Sequence, residues 1–145
     1  MTDFSAHSVS RAYFDTNAII YFVEGHPEFQ TKVADLWYAL IERNACLVTS
    51  EIGVAECLFG AFRQGSRELE QGYERLFFQE DAFDIQPVNL EALIEAGRLG
   101  ASQGMRLIDA IHFHAAATTK CEIFVTNDRR IRSNHGVRVI YISEL

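Results

Sequence analysis

The sequence predicts an α/β fold, a three-layer α/β/α sandwich with a central, mainly parallel sheet of five strands. Short β-rich runs alternate with longer helical patterns. Strands separated by helices need crossover connections, which give a parallel sheet covered on both faces. The chain has 145 residues, 48% of them hydrophobic, and it contains no Pro/Gly/Ser-rich linker or repeat. We therefore expect one domain over residues 1–145.

Strands are predicted where β-branched and aromatic residues cluster in short runs. These runs span residues 11–14, 46–49, 83–85, 123–126 and 137–142. Helices are predicted where apolar residues recur three or four positions apart. These segments span residues 29–43, 50–63, 67–79, 90–102 and 107–119, and a further helix is predicted to begin just after Asp15.

The composition says more about the cellular compartment of the protein than about its function. Cys46, Cys57 and Cys121 are an odd number of widely spaced cysteines among apolar neighbours, as in reduced, buried thiols. No apolar stretch is long enough for a membrane span, and residues 1–10 lack a secretory signal pattern, so we expect a cytoplasmic protein. The net charge of −7 argues mildly against a nucleic-acid partner. A cluster of carboxylates that binds metal would account for part of this negative charge. The net charge therefore neither supports nor excludes a nucleic-acid partner.

Four acidic residues end apolar runs or interrupt apolar helix faces: Asp15, Glu56, Asp109 and Asp128. Asp15 and Asp128 each follow a predicted strand, and the carboxyl ends of parallel strands are where ligands bind. Carboxylates gathered there repel one another unless a cation neutralises them, and oxygen ligands suit Mg²⁺ or Mn²⁺. The pattern predicts a metal-dependent phosphodiesterase.

Each acid also has a local interpretation. Asp15 could be an N-cap, Asp109 could stabilise a helix start, and Asp128 could lie in a turn. Glu56 has only apolar residues or glycine three and four positions away, so a purely solvated position does not suit it. His112, one turn after Asp109, could bind the same metal, orient Asp109 or pack locally.

The segments around these four acids resemble the motifs of a known family. The segments Phe14-Asp15-Thr16-Asn17, Ala55-Glu56-Cys57-Leu58-Phe59-Gly60, Leu107-Ile108-Asp109-Ala110-Ile111-His112 and Val125-Thr126-Asn127-Asp128 look like the four motifs of PIN-domain ribonucleases. Their order and spacing resemble the VapC toxins of bacterial toxin–antitoxin pairs. The resemblance extends from about Arg11 to the C-terminus.

The resemblance implies the strand order 3-2-1-4-5 and an acidic quartet of Asp15, Glu56, Asp109 and Asp128, with Asn17 and Thr126 as accessory polar residues. It also implies Mg²⁺- or Mn²⁺-dependent cleavage of RNA, a small antitoxin partner and a homodimer. The chain carries a glycine, Gly53, in the turn before Glu56, and we expect it to loosen the start of that helix.

Three arginines follow the last acid, and they could hold an RNA backbone or form a solvated face. They are Arg129, Arg130 and Arg132. Two other functions are compatible with part of this pattern. A dehalogenase-like phosphatase needs a second acid where Asn17 stands, and a catalytically idle RNA- or protein-binding module would not need a complete quartet.

Overall fold

The computed structural model describes residues 9–145, and it contains one five-stranded sheet with helices on both faces. The strands are β1 (Arg11–Phe14), β2 (Cys46–Ser50), β3 (Asp84–Gln86), β4 (Ile123–Thr126) and β5 (Arg138–Tyr141). All neighbouring strands pair in parallel, in the order β3-β2-β1-β4-β5. The predicted fold class and strand order are confirmed.

Within the described residues, six α-helices connect and cover these strands. They are α1 (Thr16–Glu24), α2 (Gln30–Glu42), α3 (Glu51–Gln64), α4 (Arg67–Glu74), α5 (Leu90–Gln103) and α6 (Leu107–Thr118). Among the predicted helices, the one over residues 67–79 differs most from the structure. Its α-helical part ends at Glu74 and continues as a π-helical turn over Arg75–Gln79. That turn buries Leu76 and Phe77 while Phe78 stays exposed, so packing overrides the regular helical pattern.

The central strand β1 shows why the sheet needs two helical layers. Ala12 and Phe14 belong to one hydrophobic cluster and Tyr13 belongs to another, and all three are fully buried. Successive side chains of a strand point to opposite faces. Both faces of the sheet are therefore covered, as in other parallel sheets.

The cysteines agree with the expectation of reduced thiols. Cys57 and Cys121 are buried, Cys46 is partly buried, and all three are free. Within residues 9–145 no helix is long and apolar enough to cross a membrane. The expectation about a signal sequence rests mainly on residues 1–8, which lie outside the described part of the chain.

Candidate active site

The four predicted acids line one pocket at the carboxyl ends of β1 and β4. Asp15 directly follows β1, and its amide donates to the Val125 carbonyl of the neighbouring strand over 3.1 Å. The pocket has a volume of about 110 Å³. Its lining comprises Asp15, Thr16, Asn17, Glu56, Arg106, Ile108, Asp109, His112 and Asp128.

Asp15 is both a helix cap and a residue of the pocket. Its Oδ1 accepts from the Ala18 amide over 3.0 Å, and its Oδ2 accepts from the Thr126 hydroxyl. Asp15 is buried, and burial raises its pKa even though these two hydrogen bonds favour the charged form. The neighbouring charge of Asp109 adds a smaller upward contribution. Repulsion between the clustered acids is therefore a minor cause of the raised pKa of Asp15, and burial is the main one.

Thr126 explains how Asp15 and Asp128 are held together. Its hydroxyl oxygen also accepts from the Asp128 amide over 3.0 Å, so one buried side chain links both acids. Asn17, the other residue implied as accessory, is exposed and lines the pocket from the first turn of α1.

Glu56 reaches the pocket from α3 and is held through one oxygen. Its Oε1 accepts from the Thr16 hydroxyl over 2.6 Å and lies 2.7 Å from His112 Nε2. Partial burial disfavours the charged form of Glu56, but the bonds from His112 and Thr16 outweigh this, so its pKa lies below the ordinary value. Glu56 is therefore ionised at neutral pH.

His112 is a buried residue of α6 with partners on both ring nitrogens. Its Nδ1 lies 2.7 Å from the Tyr13 hydroxyl, which is also 2.9 Å from Ser50 Oγ. Burial raises the pKa of the Tyr13 hydroxyl far above its usual value, so it stays protonated. Among the residues described, His112 has no hydrogen bond to Asp109. These contacts support local packing of His112, and they show Glu56 rather than Asp109 as the acid that it orients.

Gly53 has a packing role that helix propensity alone did not predict. A Cβ at this position would lie 2.4 Å from Thr49 Oγ1 and 3.6 Å from His112 Cε1. Thr49 is fully buried, and its hydroxyl donates to the Phe14 carbonyl. Glycine therefore lets α3 approach β2 and α6 closely enough to place Glu56 beside His112.

The other two acids are neutralised by arginines. Arg106 Nε lies 3.0 Å from Asp109 Oδ2, and its terminal nitrogen lies 3.6 Å from Asp128 Oδ2. Arg130 contacts both oxygens of Asp128, at 3.0 and 2.8 Å. These bonds from Arg130 are the main reason that the pKa of Asp128 lies below its ordinary value. Arg106 was not among the residues predicted for the site. Its position three residues before Asp109, at the start of a predicted helix, was a usable signal.

The three arginines proposed to hold RNA differ in their surroundings. Arg129 forms a 2.6 Å ion pair with Glu144, and its guanidinium lies 4.6 Å from the centre of the Tyr141 ring. Arg130 is paired with Asp128 as described. Arg132 is exposed and lines a separate cleft of about 380 Å³. The cleft lining comprises Gln103, Gly104, Met105, Arg130, Arg132 and Asn134.

The donor set of the pocket fits a hard divalent cation, because every acid offers oxygen ligands. Nevertheless, no three His, Cys, Asp or Glu side chains in residues 9–145 are arranged to hold a metal ion. Each of the four acids already has an internal partner: a threonine for Asp15, Thr16 and His112 for Glu56, and arginines for Asp109 and Asp128. Arg106 and Arg130, which pair with Asp109 and Asp128, are both more than 60% exposed.

Comparisons with known proteins agree with this description. A family model described as "PIN domain" matches residues 12–136. No curated protein matches the sequence significantly.

Several solved structures share the fold, each at under 25% sequence identity. A toxin–antitoxin complex from Klebsiella pneumoniae has a TM-score of 0.66 and 23% identity, covering 87% of this chain and 94% of that one. FitAcB from Neisseria gonorrhoeae has a TM-score of 0.66 and 20% identity, with coverages of 92% and 99%. VapC20 of Mycobacterium tuberculosis, a toxin that cleaves the sarcin–ricin loop, has a TM-score of 0.65 and 11% identity, with coverages of 78% and 86%.

Proposed function

Since the chain belongs to the PIN-domain family, we propose that it is a metal-dependent endoribonuclease and the toxin of a type II toxin–antitoxin pair. The observation that carries the proposal is the convergence of Asp15, Glu56, Asp109 and Asp128 on one pocket at the strand carboxyl ends. A shared pocket for four acids is difficult to explain by separate caps and turns. The similarity in fold to toxins of such pairs supports the biological setting.

These four carboxylates would hold Mg²⁺ or Mn²⁺, which when bound supplies charge stabilisation at phosphorus and a more acidic water. The chain itself prepares the ligands. Thr126 fixes the orientation of Asp15, and His112 with Thr16 keeps Glu56 ionised. Both of these bonds go to Oε1 of Glu56, so neither occupies Oε2, which would be available to the metal or to a proton. By analogy with the family, the products would carry 5′-phosphate and 3′-hydroxyl ends.

We place the RNA backbone along the cleft that Arg132 lines. This cleft shares Arg130 with the Asp128 ion pair, so it adjoins the acidic pocket. Guanidinium groups bind phosphates well because they are always charged and present several donors. Arg129 is a weaker candidate, because its charge is paired with Glu144 and its plane covers Tyr141.

Protein partners are supported by apolar side chains on the helical surface. Phe59 and Phe62 on α3 are each 59% exposed, and Leu90 and Ile94 on α5 are 72% and 53% exposed. Each pair lies three or four positions apart on one helix, and exposed apolar helix faces are a usual feature of protein–protein contact sites. We propose that such surfaces serve a small antitoxin and a second copy of the chain, and the mass of the purified protein by light scattering tests the homodimer.

An RNA cleavage assay on the pure protein tests the function. We expect cleavage of single-stranded RNA with Mn²⁺ or Mg²⁺, loss of cleavage in EDTA, and loss in Asp109→Asn. Asp35→Asn is the control, because Asp35 is an exposed aspartate on α2 outside the pocket. Cleavage that persists in EDTA would contradict the proposal. RNA binding without any cleavage would instead favour the catalytically idle module.

A further inference from the structure

Arg106 bridges two acids that come from different parts of the chain. Asp109 lies in the first turn of α6, and Asp128 follows β4. The Arg106 guanidinium contacts both, at 3.0 and 3.6 Å. Its side chain is 63% exposed, whereas those of Asp109 and Asp128 are 13% and 18% exposed. An exposed cation therefore covers two carboxylates that are largely shielded from solvent.

Helix stability does not explain an arginine at this position. Arg106 is the N-cap residue of α6 and makes no capping hydrogen bond with its side chain. A positive charge is also unfavourable at a helix N-terminus. Four of the other described α-helices use polar caps instead. These caps are Asp15, Ser50, Ser66 and Asn89. The reason for Arg106 must therefore lie in the acids that it contacts.

We propose that Arg106 is an internal counter-ion, which neutralises Asp109 and Asp128 until a divalent cation displaces it. This inference rests on the proposed function, since it concerns the same four acids. A guanidinium and a metal ion cannot both lie between these carboxylates, because their charges repel at such distances. Arg106 and the cation therefore compete, and the arginine lowers the affinity of the pocket for metal.

Arg106 rather than Arg130 is the exchangeable partner. Arg130 contacts both oxygens of Asp128, and Asp128 Oδ1 also accepts from the Arg130 backbone amide over 2.9 Å. This paired arrangement is geometrically specific. Arg106 offers Asp128 a single contact at 3.6 Å, which is too long for a strong hydrogen bond. Releasing Arg106 therefore breaks fewer contacts with Asp128 than releasing Arg130 would. It also removes the ion pair of Asp109.

Isothermal titration of Mn²⁺ into the metal-free protein, without RNA, tests this competition. We expect Arg106→Gln to bind Mn²⁺ roughly threefold to tenfold more tightly than the native chain, as suits the loss of an exposed competing charge. Arg106→Lys should fall between the two, because a lysine keeps the charge but cannot bridge both acids with a planar fork. Arg98→Gln is the matched control, since Arg98 also pairs with an acid three residues away on a helix, Glu95, outside the pocket.

Thermal unfolding supplies a second measurement on the same proteins. In EDTA, Arg106→Gln should melt below the native chain, and saturating Mn²⁺ should raise its melting temperature by more than that of the native chain. An unchanged or weaker Mn²⁺ affinity in Arg106→Gln would overturn the proposal, as would the absence of Mn²⁺ binding by any of these proteins. Because no RNA is present, these outcomes are separate from a failure of RNA cleavage.

Discussion

His112 Nε2 and Glu56 Oε1 lie 2.7 Å apart, although the two residues are 56 positions apart in sequence. The contact joins α6 to α3 across the pocket. Because a carboxylate only accepts, the proton between these atoms belongs to His112 Nε2. The other ring nitrogen of His112, Nδ1, contacts the Tyr13 hydroxyl. The sheet interior thus orients Glu56 through one histidine.

The first prediction concerns this histidine. We expect His112→Ala to destabilise the protein by about 2–4 kcal/mol, because it leaves a cavity and removes partners from Tyr13 and Glu56. His114→Ala on the same helix should cost under about 1 kcal/mol, since His114 is only partly buried. Urea unfolding of both variants measures the difference. Equal losses in the two would show that the polar contacts of His112 contribute little.

The second prediction follows from the raised pKa of Asp15. A buried acid with a raised pKa destabilises the folded state at neutral pH, and this penalty fades as the pH falls from above the folded pKa towards the unfolded value near 4. In EDTA at pH 7, Asp15→Asn should therefore be more stable than the native chain. The advantage should shrink as the pH is lowered towards 4.

Glu56 and Asp128 act in the opposite direction. Their pKa values are lowered in the folded state, so they stabilise the protein above their unfolded pKa values and lose this effect as the pH falls through the folded ones. Thermal melts of native protein, Asp15→Asn and Asp35→Asn across pH 4–8 isolate the contribution of Asp15, because Glu56 and Asp128 are common to all three proteins. If Asp15→Asn is less stable than the native chain at pH 7, its cap and its bond from Thr126 outweigh the cost of burial.

Most of the fold was predictable because the strand signals are local. The runs that became β1 and β4 were predicted with the bounds that the structure shows, and the family resemblance supplied the strand order. The predicted strand at residues 83–85 is shifted by one, to Asp84–Gln86. Phe83 packs in the core although it precedes the strand. A prediction based on hydrophobicity therefore started the strand one residue too early.

The third prediction compares two glycines of α3. Gly53→Ala should destabilise the protein by about 1–3 kcal/mol, because the added Cβ would overlap Thr49 Oγ1 in a closed interior. Gly60→Ala should stabilise it by about 0.5–1 kcal/mol, because no atom lies within 4 Å and alanine favours a helix. Denaturant unfolding measures both changes. A stabilising effect of Gly53→Ala would mean that α3 can move away from Thr49 at little cost.

The acids of the site were predictable, but their counter-ions were not. Asp15, Glu56, Asp109 and Asp128 stand out because a charge beside apolar residues conflicts with its surroundings. An exposed arginine creates no such conflict with its neighbours in sequence. The sequence alone therefore did not point to Arg106. Its role depends on the distance between α6 and the end of β4, which only the three-dimensional structure provides.

The fourth prediction separates the arginines after Asp128. Arg132→Gln should weaken binding of single-stranded RNA and reduce the slope of log affinity against log salt by about 1, as the loss of one phosphate contact would. Arg129→Gln should leave this slope unchanged, because its charge is already paired with Glu144, and should cost at most about 1 kcal/mol of stability.

Fluorescence anisotropy at several salt concentrations measures these slopes, with Asp109→Asn as the common background to prevent cleavage. Base preference should change little, because phosphate contacts position a nucleic acid without specifying its sequence. If Arg132→Gln leaves both affinity and slope untouched, the cluster after Asp128 is a solvated face. The RNA backbone would then have to follow Arg63 and Arg67, which lie beyond Glu56 at the end of α3 and the start of α4.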